Sequence, residues 1–248
     1  KNPRSKVQAI GEDDKGRKQY VYSKKHITNQ TNIKFHDLII FGKHVEKIRS
    51  DVMSLIKKGS SKNFSKDTII GIALYLIDVC HFRVGCDKYK KLYNTYGVTT
   101  LNHTHVSFKN SKVVIEFVGK KGVINMDSIQ DPKMCTLLKN ICKNNKEEYL
   151  FEYKDENDKK SRLTERDVNL FLKKYDTKIK VKMFRTWNAN LILLKEMLSY
   201  PMPENKTESE KNLKLIIESA AEKLHHTKSV SKSSYMNNKL LSLYVNNL

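Results

Sequence analysis

Near the end of the chain, His225-His226-Thr227-Lys228-Ser229-Val230-Ser231-Lys232-Ser233-Ser234-Tyr235-Met236 sets a phenol among lysines and serines, shortly after a pair of histidines. A phenolic oxygen in such company can meet a phosphate, and the chemistry is nucleophilic attack with covalent capture. Taken alone the segment reads as surface, because tyrosines in a lysine-rich chain mostly cover surface. What sets Tyr235 apart lies upstream. Arg83 stands in Cys80-His81-Phe82-Arg83-Val84-Gly85-Cys86, beside a glycine at the end of an apolar run. It is either a partner for a helix C-terminus or a charge brought from the core to a site. Lys120, in Gly119-Lys120-Lys121-Gly122, tips a hairpin, as a solubilising lysine or as an ammonium pushed into a groove. Arg185 and Asn190, in Met183-Phe184-Arg185-Thr186-Trp187-Asn188-Ala189-Asn190, open a helix whose backbone donors favour an anion.

The composition narrows the partner. The 248 residues are 39% hydrophobic and 30% charged, which is enough for a substantial core in one large domain or one and a fraction. A formal net charge of +20 is too lopsided for an enzyme of small neutral substrates and points to a polyphosphate: nucleic acid first, an anionic membrane surface second. No apolar run approaches the roughly 18 residues of a membrane span, and Lys1-Asn2-Pro3-Arg4 lacks the apolar core of a signal peptide. The expectation is a soluble, intracellular protein, and a first residue other than Met suggests a fragment or processed form. Cys80, Cys86, Cys135 and Cys142 form no C-x-x-C pair and read as reduced thiols. His103 and His105 alternate along an expected strand without a ligand cluster, so no metal site is expected.

The elements that must carry these groups follow from periodicity. Asp14-Lys15-Gly16-Arg17-Lys18-Gln19 is a basic run, and the alternating Tyr20-Val21-Tyr22 puts both phenols on one face of a short strand. That suits either a DNA contact or a solvated turn before an edge strand. Phe35 to Ile56 has helical spacing and stops at Gly59-Ser60-Ser61; Ser65 caps the next helix, which runs to Phe82. A short helix spans Lys88 to Tyr93. Period two then takes over at Val106 and Phe108, at Val113 to Val118 and at Val123 to Met126, a three-stranded meander. Asp131-Pro132 opens a helix; 143 to 162 is a mixed-charge connection around Tyr149-Leu150-Phe151; Thr164 caps another helix. Lys178-Ile179-Lys180-Val181-Lys182 alternates before a helix from Met183 to Leu198, ended by Pro201 and Pro203. Helices from Ser209 to Leu224 and from Ser231 to Val245, the last carrying Tyr235, complete a mainly α-helical α+β chain.

The order Arg83, Lys120, Arg185 with Asn190, His226 with Tyr235 resembles the poxvirus-type DNA topoisomerases of class IB, within the tyrosine recombinase and topoisomerase IB superfamily. The resemblance rests on Gly16-Arg17-Lys18-Gln19-Tyr20-Val21-Tyr22, Phe82-Arg83-Val84-Gly85, Phe117-Val118-Gly119-Lys120, Phe184-Arg185-Thr186 and His226 to Met236, in that order along nearly the whole chain. It implies a DNA-breaking-rejoining catalytic domain over 33–248, preceded at 1–32 by the end of a truncated amino-terminal β domain and linker. It implies ATP-independent relaxation of supercoils: Tyr235 attacks the scissile phosphodiester to give a 3′-phosphotyrosyl enzyme, the free end rotates, and reversal reseals it. Arg83, Arg185 and His226 would hold the non-bridging oxygens, and Lys120, with Arg83 assisting, would protonate the departing 5′ oxygen. Arg17, Lys18, Gln19, Tyr20, Tyr22, Tyr89, Lys182 and Asn190 would contact DNA, Asn190 also steadying the site of Arg185. Neither ATP nor a divalent metal is expected, the partner is double-stranded DNA, a monomer suffices, and a viral enzyme would work in the virion and host cytoplasm.

Two positions depart from the family pattern: His225 stands where a glycine is more usual, and Cys86 where a basic residue is expected. The amino-terminal clamp and the tail of thirteen residues after Tyr235 look short against the poxvirus enzymes. A tyrosine recombinase or integrase shares the Arg, Lys, Arg, His and Tyr roles, but usually has a histidine where this chain has Lys182, and residues 1–82 leave little room for its arm-binding domain. A catalytically dead DNA-binding protein is the third alternative.

Overall fold

The computed structural model describes residues 2, 5–14, 16–59, 64–155, 157 and 159–246. Lys15 of the basic run and Ser60-Ser61 of the expected stop lie outside them. Strands β1 (Val7–Glu12) and β2 (Lys18–Tyr22) pair antiparallel as a separate hairpin, with Tyr20 and Tyr22 stacked on one face at 6.2 Å as the alternation requires. Ser23 then caps α1 (Lys24–Lys58) by accepting from the His26 amide. The helix thus begins well before Phe35, and it runs unbroken through residues 32 and 33. Its first turns carry exposed Ile27 and Ile33 rather than a core stripe, so apolar spacing could not reveal them. From Leu38 on, Phe41, Val45, Ile48, Val52 and Ile56 give the buried face.

Ser65 caps α2 (Lys66–Val79), which is buried almost throughout and forms the centre of the main core. It ends at Val79, short of Phe82. His81 adopts a left-handed φ of 55°, which no helix can propagate. Arg83 therefore does not sit on the last turn of α2, and the dipole explanation falls. It lies in an extended segment pinned to the 97–100 turn: Val98 donates to the Arg83 carbonyl at 2.8 Å, and Thr99 donates to the Val84 carbonyl from its amide at 2.6 Å and its hydroxyl at 2.9 Å. Gly97 allows this approach, since a Cβ there would lie 2.6 Å from the Arg83 carbonyl oxygen and 2.5 Å from the Gly85 nitrogen. Gly85 itself has φ 96°.

Helix α3 (Asp87–Tyr93) is short and exposed, and a distant hairpin braces it. Arg162 forks onto Asp87, Tyr149 donates its hydroxyl to the same carboxylate, and the Arg162 guanidinium covers the Tyr149 ring at 4.6 Å. That hairpin, β6 (Glu152–Lys154) with β7 (Lys160–Arg162), lies within 143–162, where the sequence suggested only a connection. Leu150 and Phe151 are core residues, and Leu150 donates to the Leu101 carbonyl at 2.7 Å. Three-residue strands are too short to show a period. The expected meander is present as β3 (Val106–Lys109), β4 (Lys112–Val118) and β5 (Ile124–Ile129), antiparallel in that order. His103 and His105 precede it in a 3₁₀ turn, not in a strand, with the His105 ring against Tyr96 at 4.4 Å. Among the described residues no group of His, Cys, Asp and Glu could hold a metal, and all four cysteines are free.

Asp131 caps α4 (Pro132–Asn144) and Thr164 caps α5 (Glu165–Leu172) through a reciprocal box with Asp167. The 178–182 alternation is a turn whose Ile179 and Val181 enter the core while its lysines face water, and α6 (Lys182–Ser199) follows. Its first half packs in the main core. Its second half builds a smaller one, where Leu193 and Met197 meet Ile216, Ile217 and Ala220 of α7 (Lys206–Lys223) together with Met236, Leu241 and Tyr244. The expected last helix is two, α8 (Lys228–Ser234) and α9 (Asn238–Val245), broken at Tyr235. No helix among the described residues is long and apolar enough to cross a membrane.

Gly97→Ala forces backbone against backbone beneath Arg83. Overpacking of this kind costs about 1–3 kcal/mol, so the denaturant midpoint should fall, and the segment carrying Arg83 should lose amide protection before the core helices do.

Candidate active site

Four of the five expected catalytic side chains converge. Arg185 enters from the first turn of α6, Arg83 from the pinned segment after α2, and His226 from the loop between α7 and α8; Tyr235 stands at the break after α8. Arg185 is only 3% exposed. Its Nη2 donates to the Leu224 carbonyl at 3.2 Å and meets Nε2 of His226, while Nε and Nη1 are buried without a partner. The guanidinium carbon lies 5.6 Å from the centre of the Tyr235 ring, and that ring stacks on His226 at 4.4 Å.

Charge follows from this packing. Burial and the neighbouring Arg83 cation push the Arg185 pKa down to about 10, so it remains charged at neutral pH. Burial would raise the Tyr235 phenol, but the charges of Arg185 and Arg83 leave it below its usual value. His226 is pushed down to about 2, first by burial and then by Arg185 and Arg83, so its ring is neutral. Since arginine only donates, Nε2 of His226 accepts, and Nδ1 carries the proton toward Ser231 Oγ at 3.3 Å.

The backbone around Tyr235 is held as tightly as its ring. Its amide donates to the Ser231 carbonyl at 3.1 Å and its carbonyl accepts from Asn190 Nδ2 at 2.9 Å; Asn190 Oδ1 takes the Asn237 amide at 2.8 Å. Asn190 lies two turns into α6 rather than at its amino end, and its amide also donates to the Thr186 carbonyl at 2.7 Å. Its bonds are thus to peptide groups, two of them flanking the Tyr235 side chain. Two further residues belong to the site and carry no signal in the sequence. Ser231 is fully buried under His226, and Lys34 of α1 donates to the Ser234 carbonyl at 3.2 Å. A serine in a serine-rich run and a lysine in a lysine-rich chain look like their neighbours.

Lys120 is not part of the cluster. It is exposed at the tip between β4 and β5 and makes no hydrogen bond or ion pair among the described residues. The tip is well made: Gly119 donates to Val123 at 2.7 Å, Lys121 takes φ 67°, and buried Asn125 donates its side-chain amide to the Val123 carbonyl at 2.8 Å. The expected DNA contacts are exposed as well. Tyr20, Tyr22 and Tyr89 present open rings, Lys18 and Gln19 lie on the same hairpin, and Lys182 starts α6. Arg17 pairs with Asp13 at 2.6 Å and lies over Tyr93 at 5.4 Å, so the hairpin leans on α3; Gln19 shares the Asp13 carboxylate.

The histidines around this site make stability depend on pH. Burial lowers His81, His225 and His226 below their ordinary value near 6.5, with Arg185 adding to each. As pH falls below about 6.5 the unfolded chain takes up protons that the folded chain refuses, so stability falls with pH. The denaturant midpoint should drop between pH 7 and pH 5, and less steeply in His226→Gln.

The arrangement suits attack on a phosphodiester. Residues 23–245 match the family model of the eukaryotic DNA topoisomerase I catalytic core. The chain is 31% identical over 255 aligned residues to DNA topoisomerase 1B of Acanthamoeba polyphaga mimivirus, covering 100% of this chain and 75% of that protein. It is 30% identical to DNA topoisomerase 1B of vaccinia virus (strain Copenhagen), covering 94% and 71%. DNA topoisomerase 1 of Schizosaccharomyces pombe is also 30% identical, over 69% of this chain but only 21% of its own length, so the match in extent is to the small viral enzymes. With the helical core, the three-stranded sheet and the Arg83, Arg185, His226 and Tyr235 cluster in the expected order, the chain belongs to the type IB DNA topoisomerases, in their viral branch.

Proposed function

We propose that the relaxation of supercoiled DNA expected of this family runs through Tyr235 as nucleophile. The observation that carries the assignment is Arg185: a buried guanidinium with two unpartnered nitrogens beside the phenol asks for an anion, and a phosphoryl group fits its fork. Tyr235 Oη forms a bond to phosphorus as the bond to the 5′ oxygen breaks, leaving a 3′-phosphotyrosyl enzyme and a 5′-hydroxyl. Arg185 and Arg83 neutralise the charge on the non-bridging oxygens, and their charges already favour the phenolate. His226 also donates to a non-bridging oxygen, which needs the proton on Nε2 rather than Nδ1. Ser231 can follow that change, because a hydroxyl both accepts and donates.

Lys120 supplies the proton to the 5′ oxygen, with Arg83 assisting, once DNA lies against the β4–β5 tip. Asn190 holds the backbone of the nucleophile and steadies Arg185, while Arg17, Lys18, Gln19, Tyr20, Tyr22, Tyr89 and Lys182 contact the duplex. Arg17 exchanges its half-buried Asp13 partner for phosphate. The covalent intermediate conserves the energy of the broken bond, so neither ATP nor a divalent metal takes part, and relaxation should persist in EDTA without nucleotide. A monomer suffices because every catalytic group comes from one chain. By analogy with the viral relatives, the protein acts on viral DNA in the virion and host cytoplasm.

Tyr235→Phe should abolish the covalent band on a denaturing gel and leave duplex binding nearly intact; persistent adduct would move the nucleophile elsewhere. Arg185→Ala should lose roughly 2.7 to 4 kcal/mol of transition-state stabilisation, read from single-turnover cleavage. Lys120→Ala should slow cleavage by roughly 10² to 10⁴. Replacing the 5′ bridging oxygen with sulfur, which leaves without protonation, should restore Lys120→Ala and not Arg185→Ala. Equal rescue of both, or of neither, would assign the proton to another group.

A further inference from the structure

We propose that Lys34 is a positioning residue for the nucleophile: its ammonium, reaching across from α1, fixes the peptide carbonyl that precedes Tyr235, and its charge acts on the phenol. The proposal rests on Tyr235 being the nucleophile. Helix α8 ends at Ser234, and the last carbonyls of any helix lack intrahelical donors. Lys34 Nζ meets the Ser234 carbonyl at 3.2 Å, joining residues 200 positions apart. A cation at this end also complements the helix dipole. The other attachments of Tyr235 come from α8 itself, through Ser231, and from α6, through Asn190. Lys34 therefore ties the break between α8 and α9 to the long helix of the main core, while Met236 on the other side is packed in the smaller one.

The ammonium is not a loose surface charge. The Lys34 side chain is half-buried and its ammonium sits 4.3 Å from the centre of the Phe35 ring, while the Ser234 residue it bonds is exposed. The ionisable groups that act on it are Lys182 of α6 and Tyr235 itself; burial and Lys182 lower its pKa, and the charge of Tyr235 raises it. Ammonium and phenolate therefore stabilise one another, in addition to the action of Arg185 and Arg83 on the phenol. Displacing a nucleophile by about 1 Å can cost on the order of 10²-fold in rate, so a tether at its own peptide can matter while adding little to stability.

The test compares Lys34→Met and Lys34→Arg in the full chain, by single-turnover cleavage of saturating duplex across pH, with affinity measured separately at fixed salt. Lys34→Met should cleave at least about tenfold more slowly, a fraction of the misplacement cost, with affinity changed by less than about threefold. The acid limb of its pH profile should move to higher pH, because a phenol with one cation fewer ionises less readily. Lys34→Arg, which keeps charge and donor, should recover the rate to within about threefold and leave the limb in place. An unchanged saturating rate in Lys34→Met with weakened, less salt-sensitive binding would make Lys34 a phosphate contact and overturn the proposal. So would a slow Lys34→Met whose pH limb stays where it was. Wild type and Tyr235→Phe run alongside: adduct in the first and none in the second confirms the nucleophile, so a normal Lys34→Met then refutes the role of Lys34 alone.

Discussion

A positive charge held out of water without a counter-ion is the constraint on which the rest of this structure depends. Arg185 is buried, no carboxylate pairs with it among the described residues, and Arg83 adds a second cation nearby. Taking such a charge from water costs several kcal/mol unless partners compensate, and here the Leu224 carbonyl and the His226 ring compensate in part. Packing must hold the rest. The site is preorganised for negative charge, and the same field that favours an anion favours the ionised phenol and keeps His226 neutral.

Helix α6 makes that arrangement possible because it belongs to both cores. Its first turn is fixed in the large core by Met183 and Phe184, which aims Arg185; its later turns carry Asn190 to the backbone of Tyr235 and Leu193 and Met197 into the smaller core that anchors Met236. Arg185 and the backbone of Tyr235 are thus referred to one rigid element. The second arginine is set independently, by the close approach of Gly97 to the Arg83–Gly85 segment.

The outer layer of the β1–β2 hairpin and α3 is built by a different logic. The β1–β2 hairpin and α3 are exposed and share little core, and they are oriented by charge: Arg17 between Asp13 and Tyr93, and Arg162 on Asp87 beneath Tyr149. Polar braces of this kind leave the rings of Tyr20, Tyr22 and Tyr89 exposed at the surface. Lys120 belongs to this outer layer, on a stiff tip that stands free of the cluster.

Much of this was determined by the sequence itself. Apolar spacing along α1 and α2, the caps at Ser65, Asp131 and Thr164, and the period-two runs of the meander specify elements because those signals are local, and the order of Arg83, Lys120, Arg185, His226 and Tyr235 pointed to the family. Tertiary structure decided the rest, wherever the energy comes from contacts distant in the chain. The early start of α1 has no core stripe to announce it, the β6–β7 hairpin is held by Leu101 and Asp87, and the end of α2 is set by the left-handed His81. The break at Tyr235 is the clearest case. Ser234, Asn237 and Asn238 weaken the helix locally and Asn237 caps α9, but where the chain turns is set by Asn190, Lys34 and the pocket for Met236, which bind the peptide groups and side chain around Tyr235.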